Sequence, residues 1–151
     1  MPYKTFAAGN VLAASDLNNG PYADAKTADV TTSQTTTSTT YTDLGTVGPA
    51  VTESLVAGQG VLVIISARMI HSAGAGASAK ASFAVSGAST QAALDADAIE
   101  SDLTTTAGAV ITRATWYVAT GTGSHTFTMK FKVVSSGTGT FLNRRIIVKK
   151  F

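Results

Sequence analysis

The sequence predicts an all-β protein, an antiparallel sandwich, and three observations lead to that fold class. From Tyr41 onward, short runs of β-forming residues alternate with glycine-containing turns, which is typical of a sandwich or a barrel. Thr and Ser supply most of the polar side chains, and β-branched Thr suits a pleated, half-exposed surface. The stretch Ser124 to Val134 alternates strictly between apolar and polar residues, as a strand with one buried face does.

Two stretches have the pattern of a strand with one face in the core. Ser124 to Val134 turns its apolar residues to one side and its Lys, Thr and Ser residues to the other. Lys80 to Ser86 repeats this pattern over a shorter length. The predicted inward residues are His125, Phe127, Met129, Phe131 and Val133 in the first stretch and Ala81, Phe83 and Val85 in the second.

Two other stretches are apolar on both faces. Val61 to Ile65 has no polar residue, which an antiparallel sandwich normally allows only where the outer face is covered as well. The last run, residues 141–151, also carries large apolar side chains on both of its faces. We therefore expect another subunit to supply the cover. The predicted oligomer-interface residues are Val61, Val63, Ile65, Ile147 and Phe151.

The remaining stretches are less regular. Val110 to Val118 divides into two mixed faces, one with Val110, Ala114, Trp116 and Val118 and one with Ile111, Arg113, Thr115 and Tyr117. Gln91 to Leu103 is rich in alanine, which favours a short helix or a loop at the sandwich edge. For Arg144 and Arg145, which interrupt the last strand, we expect the charged heads to reach a rim or to pair with a carboxylate such as Asp43, Glu53 or Glu100.

Composition divides the chain into three regions. Residues 1–28 are too few to hold a core, so we interpret them as an adaptor arm that docks on the main body or on another protein. Residues 29–40 are interpreted as a Thr/Ser-rich linker, or an edge strand, because residues 31–40 have neither a large apolar side chain nor a charge. Residues 41–151 form the predicted β-sandwich.

Bulk properties exclude several classes of function. The 151 residues are the usual length of one domain, and 44% hydrophobic residues argue against global disorder. A formal charge of +2 is too small to attract nucleic acid or anionic lipid strongly. There is no cysteine for a disulfide or a thiolate, and the longest apolar run, Val61 to Ile65, is too short to span a bilayer. We expect neither a nucleic acid nor a membrane as a partner.

Catalytic and ligand-binding patterns are not found in this sequence. His71 and His125 lie far apart, with no His or Cys at the spacing of metal ligands. No G-x-S-x-G nucleophile elbow is present. Gly74 to Ala79 matches a loose dinucleotide-binding loop, but an alternating strand follows it where a helix would be needed. We predict a protein that is not an enzyme, without catalytic residues, cofactors or metal ligands.

Basic residues in the last two strands, if paired as a hairpin, could converge into a patch. No stacking aromatics share their outward face, so a solvated edge or an acidic protein partner is favoured over nucleic acid. These residues are Lys130, Lys132, Arg144, Arg145, Lys149 and Lys150.

The opening of the chain resembles a segment found on many bacteriophage tail and fibre proteins. The segment is TFAAGNVLAASDLN, and the residues that match its pattern are Phe6, Gly9, Leu12, Ala14 and Asn18. Later stretches resemble small virion proteins of phages that infect actinobacteria and their relatives. These stretches are YTDLGTVGPAVT, VLVIISARM, SFAVSGAST, GSHTFTMKFKV and GTGTFLNRRIIV.

This resemblance implies an antiparallel jelly roll with an extended N-terminal arm, related in shape to trimeric tumour-necrosis-factor-like domains. It implies a minor tail, head-fibre or decoration protein of the virion, assembled in the host cytoplasm. The five matching residues would dock the arm on the capsid or the tail, and the body would form a homotrimeric knob. The alternative is a receptor- or glycan-binding module that meets the host cell surface through the loops at Gly74 to Ser78 and Gly121 to Ser124.

Overall fold

Two antiparallel β-sheets pack face to face in a computed structural model that describes residues 25–72, 76–102 and 108–151. One sheet has five strands and the other has four. The strands are β1 (Lys26–Val30), β2 (Gln34–Thr36), β3 (Ala50–Leu55), β4 (Gly60–His71), β5 (Ser78–Gly87), β6 (Ile99–Ser101), β7 (Ala109–Val118), β8 (Gly123–Val134) and β9 (Gly139–Lys150). The predicted all-β sandwich is confirmed.

The strand pairing is that of a jelly roll. Both β1 and β2 pair with β9, and the pairs β3–β8, β4–β7 and β5–β6 are nested inside them. The chain thus folds like one long hairpin that is wrapped into two sheets, with the orders β1-β9-β4-β7 and β3-β8-β5-β6. The nesting also fixes which loops share an end of the sandwich. Ser78 lies opposite Val134, whereas Gly87 lies opposite His125 at the other end.

Alternation along the strands builds the core as predicted in two cases. The predicted inward residues of β8 and of Lys80 to Ser86 in β5 are all buried. Val61, Val63 and Ile65 are buried too, with 0–1% of their surface exposed. This corrects their assignment to an oligomer interface. They face the core of their own chain, and the neighbouring positions Leu62 and Ile64 face outward.

Strand β7 places the second of its two predicted faces inward. Tyr117 is buried and meets Phe127 edge-on, with ring centroids 5.3 Å apart, whereas Trp116 is 56% exposed. Val110 and Val118, which share a face with Trp116, are exposed as well. The sequence pattern alone could not distinguish the faces, because both contain apolar residues. The contact with Phe127 in β8 places Tyr117, and not Trp116, in the core.

A β-bulge in β9 explains the irregular pattern of the last strand. Asn143 has a φ of 51°, and the pairing of β9 with β4 shifts register between Ser66 and Arg68. The extra residue moves the buried face from odd to even positions, so Phe141 lies in the core before the bulge and Ile146 lies in it after the bulge.

The bulge also turns Arg144 into the interior, where it is fully buried. Its guanidinium donates to Gln34 Oε1 at 2.7 Å and lies over the Phe131 ring, 5.3 Å from the centroid. Longer bonds of 3.4–3.5 Å reach the main-chain oxygens of Thr32, Thr46 and Gly48. Burial lowers the pKa of Arg144, but a guanidinium stays protonated in proteins. The predicted rim position or carboxylate partner is wrong for this residue.

The carboxylates suggested for the arginines have other partners. Arg145 faces outward and pairs with Asp29. Asp43 pairs with Lys130 at 2.7 Å. Glu53 is buried and lies 3.3 Å from Lys26 and 3.6 Å from Lys150, so it links the edges of the two sheets. Glu100 pairs with Lys80 at 3.3 Å.

The sandwich begins earlier than composition suggested. Strands β1 and β2 lie in the regions interpreted as arm and linker, and both pair with β9. The uncharged Thr/Ser segment is ordered because β9 supplies the hydrogen bonds that its own side chains cannot. The edge-strand interpretation is therefore correct for Gln34 to Thr36. Residues 1–24, which hold the predicted docking residues Phe6, Gly9, Leu12, Ala14 and Asn18, lie outside the described residues.

The alanine-rich segment after β5 forms one turn of 3-10 helix at Asp95–Asp97, followed by β6. Asp95 accepts hydrogen bonds from Lys132 Nζ at 2.8 Å and from Tyr41 Oη at 2.9 Å. These two bonds lower the pKa of Asp95 to about 2. Burial and the bond to Asp95 in turn raise the pKa of Tyr41. Asp95 therefore fastens the helical turn and the chain at Tyr41 to the outer face of the four-stranded sheet.

We expect stability to depend on pH through Asp95. Its pKa is lower in the folded chain than in the unfolded one, so its contribution is complete above about pH 4 and is lost as the pH falls toward about 2. Urea unfolding of the wild type and of Asp95→Asn at stepwise lower pH measures this. The two unfolding free energies should differ at neutral pH and converge near pH 2. A difference that stays constant across this interval would contradict the assignment.

Candidate binding face of the five-stranded sheet

The outer face of the five-stranded sheet carries many large apolar side chains together with charged and polar ones. Cross-strand register aligns its outward side chains in rows, with Lys149, Leu62 and Trp116 at one end and Ile147, Ile64 and Ala114 next to them. Leu142, Arg68 and Val110 form a further row beyond a polar one. We call this surface, formed by β1, β9, β4 and β7, the outer face. It explains why β4 and β9 are apolar on both sides, since one side fills the core and the other forms this surface.

Trp116 is the most prominent side chain of the outer face. Its six-membered ring lies directly over Gly60, where a Cβ atom would stand 2.0 Å from the ring carbon Cζ2. The ring centroid of Phe151 is 5.4 Å away, and Lys149 Nζ lies 5.4 Å from the Phe151 centroid. The indole is therefore held against the sheet over Gly60 while 56% of the residue remains exposed. Such a fixed aromatic surface binds a partner at a low cost in side-chain entropy.

A polar stripe crosses the middle of the outer face. It consists of Asp29, Arg145, Ser66 and Thr112, which occupy one level of β1, β9, β4 and β7. Arg145 Nε donates to Asp29, and Thr112 donates to Ser66 Oγ at 2.9 Å. Beside the stripe, at the bulge, is a cleft of about 340 Å³ lined by Asp29, Thr31, Ser66, Asn143, Arg144 and Arg145. The four residues of the stripe are thus hydrogen-bonded in two pairs, and three of them, Asp29, Ser66 and Arg145, also line the cleft.

The outer surface of the four-stranded sheet differs sharply in character. It carries Lys80, Lys130 and Lys132, whose ammonium groups lie 2.7–3.4 Å from carboxylates. The carboxylates are those of Asp43, Asp95 and Glu100. This surface has the paired charges of a solvated face. The two sides of the sandwich are therefore suited to different surroundings, one to water and the other to cover by a partner.

Two of the residues predicted for an interface do belong to the outer face. Ile147 is half-buried there, and Phe151 is 43% exposed beside Trp116. Whether they contact a second copy stays a prediction. Sequence reasoning did not include Trp116, Asp29 or Arg145 in the site. The signal in the sequence for Trp116 was Gly60 in the neighbouring strand β4, because a ring can lie this close to a sheet only over a residue without a side chain.

The described residues of the two loops predicted to meet a host glycan or protein, Gly76 to Ser78 and Gly121 to Ser124, lie at opposite ends of the sandwich. Ser78, in the first loop, is paired with Val134, whereas Gly121 to Ser124 precede and begin the same strand β8 at its other end. Ten residues of strand correspond to about 30 Å. The two loops therefore cannot contribute to one small binding site, and this corrects the sequence-based hypothesis.

Ser89 and His125 form a buried pair that resembles part of a catalytic triad. Ser89 Oγ lies 2.7 Å from His125 Nε2, while His125 Nδ1 lies 3.0 Å from the carbonyl oxygen of Gly123. The main-chain N–H groups of Thr120 and Gly121 both donate to Ser89 Oγ, at 3.1 and 2.9 Å. The hydroxyl is thus buried and engaged in organising the β7–β8 turn, so this geometry supports a structural role.

The described part of the chain has neither a cluster of metal ligands nor a membrane-spanning helix. Within residues 25–72, 76–102 and 108–151, no group of three or more His, Cys, Asp or Glu side chains is arranged to hold a metal ion. No helix in the same residues is long and apolar enough to cross a membrane.

Comparison with known proteins gives a likeness in shape only. No family model matches the sequence, and no curated protein matches it. Among solved structures, the CBM22-1 xylan-binding domain of Paenibacillus barcinonensis Xyn10C is similar over 85% of this chain and 84% of that domain. The sequence identity is 17% and the TM-score is 0.43. A likeness this distant transfers neither a ligand nor a site to the present chain.

Proposed function

We propose that the chain is a structural assembly protein of a bacteriophage virion, and that its jelly roll self-associates as a homotrimeric knob through the outer face. The observation that supports self-association is the fixed, exposed Trp116 on a sheet face that carries many large apolar side chains. Aromatic anchors of this kind dominate the binding energy of protein interfaces. The virion role is supported by the resemblance of the sequence to phage proteins.

The contrast between the two outer surfaces supports a protein partner for the outer face. Charged residues are depleted at the centres of interfaces and apolar and aromatic residues are enriched there. The end of the outer face around Leu62, Ile64 and Ile147 has this apolar composition, whereas the ion pair of Asp29 and Arg145 lies at the middle level of the face. The surface of the four-stranded sheet, with its paired lysines and carboxylates, does not have this composition.

The position of β1 is suited to an arm that reaches a second virion component. Lys26, the first residue of β1, pairs with Val148 at the edge of the five-stranded sheet. The chain before it therefore joins the sandwich at an edge, near the end of the outer face that carries Trp116. In the proposed assembly the docking residues are Phe6, Gly9, Leu12, Ala14 and Asn18.

Deletion of residues 1–24 tests the docking role of the arm. The deletion should end before β1, because Lys26 to Val30 are paired with β9 and their loss would damage the sandwich. We expect the shortened protein to fold and to trimerise but to be absent from purified particles. Immunoblots of particles, with sedimentation of the free protein as the folding control, measure this. Normal incorporation of the shortened protein would refute the docking role.

A second candidate is recognition of a host-surface glycan by the same face. The specific observation in its favour is the indole of Trp116 beside Phe151, which offers an exposed aromatic surface at one end of the outer face. A glycan array probed with the wild type and Trp116→Ala separates the two functions. Binding that is lost in the variant would favour recognition, whereas no binding by the wild type would leave assembly as the function of this face.

A further inference from the structure

Resting on the proposed function, we infer that the polar stripe of Asp29, Arg145, Ser66 and Thr112 is a specificity element, which fixes the register in which a second copy of this chain packs on the outer face. The stripe lies midway along the sheet, between the row of Ile147, Ile64 and Ala114 and the row of Leu142, Arg68 and Val110. A purely apolar face would allow a partner to slide along the strands. A polar level within it allows only arrangements that satisfy the polar groups.

The size of the face places the stripe inside the contact. Four strands about 4.8 Å apart and about ten residues long cover roughly 600 Å². An interface of ordinary size takes about 800 Å² from each partner. A second copy that binds stably here therefore uses the entire face. The stripe, which is the middle level of the face, is then buried inside the contact and does not lie at its solvated rim.

A second copy can bury the stripe only in the correct register, because its polar groups then remain hydrogen-bonded. Ser66 and Thr112 are bonded to each other at 2.9 Å, and Asp29 bonds to Arg145 Nε, so the main groups are satisfied within one chain. Both members of the ion pair remain about half exposed, with 56% of the Arg145 side chain and 41% of the Asp29 side chain accessible. A guanidinium has five N–H donors, so Arg145 can donate further to a neighbouring copy across the cleft. A misaligned copy would place apolar side chains on these charges, and the unpaired donors would oppose burial.

Exchanging the two residues of the ion pair tests this inference and still leaves an ion pair within the chain. The double variant Asp29→Arg with Arg145→Asp keeps an ion pair within the chain but reverses the charges that a neighbour meets. Wild-type and exchanged chains carrying tags of different mass are mixed, unfolded and refolded together, and native mass spectrometry counts mixed oligomers. We expect mixed oligomers at least tenfold below the binomial proportion. This holds where the stripe of one chain meets the stripe of the next. Where the stripe meets an unaltered surface of the neighbour, the exchanged chain should fail to form oligomers by itself, whereas the wild type should form them.

A matched control exchanges an ion pair on the other side of the sandwich. Asp43 and Lys130 lie 2.7 Å apart on the four-stranded sheet, and Asp43→Lys with Lys130→Asp should mix freely with the wild type. Mixing of the Asp29/Arg145 exchange at the same level as this control would overturn the inference. A wild-type chain that remains monomeric at all concentrations would instead overturn the proposed self-association, and the inference with it.

A neutral variant keeps the inference testable if the exchanged chain fails to fold. Ser66→Ala with Thr112→Val removes the hydrogen-bonded half of the stripe while leaving the ion pair in place. We expect this variant to form oligomers of more than one size on native mass spectrometry, because the register is less strongly specified. A single trimer that is indistinguishable from the wild type would overturn the inference.

Discussion

Replacing Arg144 with alanine is expected to destabilise the fold by roughly 3–5 kcal/mol, a large share of the stability of a domain of this size. The guanidinium bonds Gln34 and the main-chain oxygens of Thr32, Thr46 and Gly48, so its loss removes the donor from one buried and three partly buried acceptors. It also removes the contact with the Phe131 ring. Urea unfolding followed by far-UV circular dichroism at one fixed protein concentration measures the change.

Two further variants separate the causes of this loss. Arg144→Lys keeps the positive charge but not the planar set of donors, so we expect it to recover only part of the stability. Arg113→Ala removes an exposed arginine and should change the free energy of unfolding by about 0.5 kcal/mol or less. If Arg144→Ala costs no more than Arg113→Ala, the buried guanidinium does not hold these segments together.

The burial of Arg144 also shows where sequence reasoning reaches its limit. The alternating pattern of β8 identified Phe127 and Phe131 as core residues, because a period of two is a direct consequence of strand geometry. In β9 the same reasoning failed at one point. Asn143 inserts an extra residue, and everything after it changes face. Asn tolerates a left-handed backbone, which was the available signal, but sequence does not show whether a strand uses it.

The extent of the sandwich depended on a contact distant in sequence. The Thr/Ser segment has little to bury by itself, so its place in the sheet depends on β9, more than 100 residues later. Composition could propose an edge strand at Gln34 to Thr36 but could not identify its partner. In the same way, adjacent Trp116 and Tyr117 could each have faced the core. The contact with Phe127 places Tyr117 in the core.

The type of the candidate site was predicted more accurately than the residues that form it. Strands that are apolar on both sides indicated a covered outer surface, and the structure contains an outer face with many large apolar side chains. The residues chosen from β4 were those of the core face, because a stretch with no polar residue does not reveal which side points inward. Ile147 and Phe151 were placed on the correct side.

Replacing Trp116 with alanine is expected to raise the dissociation constant of the proposed trimer by about 30-fold or more, since aromatic anchors at interfaces contribute about 2 kcal/mol or more. The folded monomer should be affected little, because 56% of this residue is already exposed. Sedimentation equilibrium over a range of protein concentrations measures the association, and thermal unfolding of dilute protein measures the fold.

The orientation of the indole provides the sharper version of this test. In Gly60→Ala the new methyl group would stand 2.0 Å from the Trp116 ring, so the ring must leave its position over Gly60 while its apolar surface is retained. If an anchor fixed in this position is what the partner binds, Gly60→Ala should weaken association nearly as much as Trp116→Ala. Leu94→Ala, which removes a 46% exposed apolar side chain outside the outer face, should leave association unchanged. Equal sedimentation of all three variants and the wild type would show that the outer face is not the surface through which the chain associates.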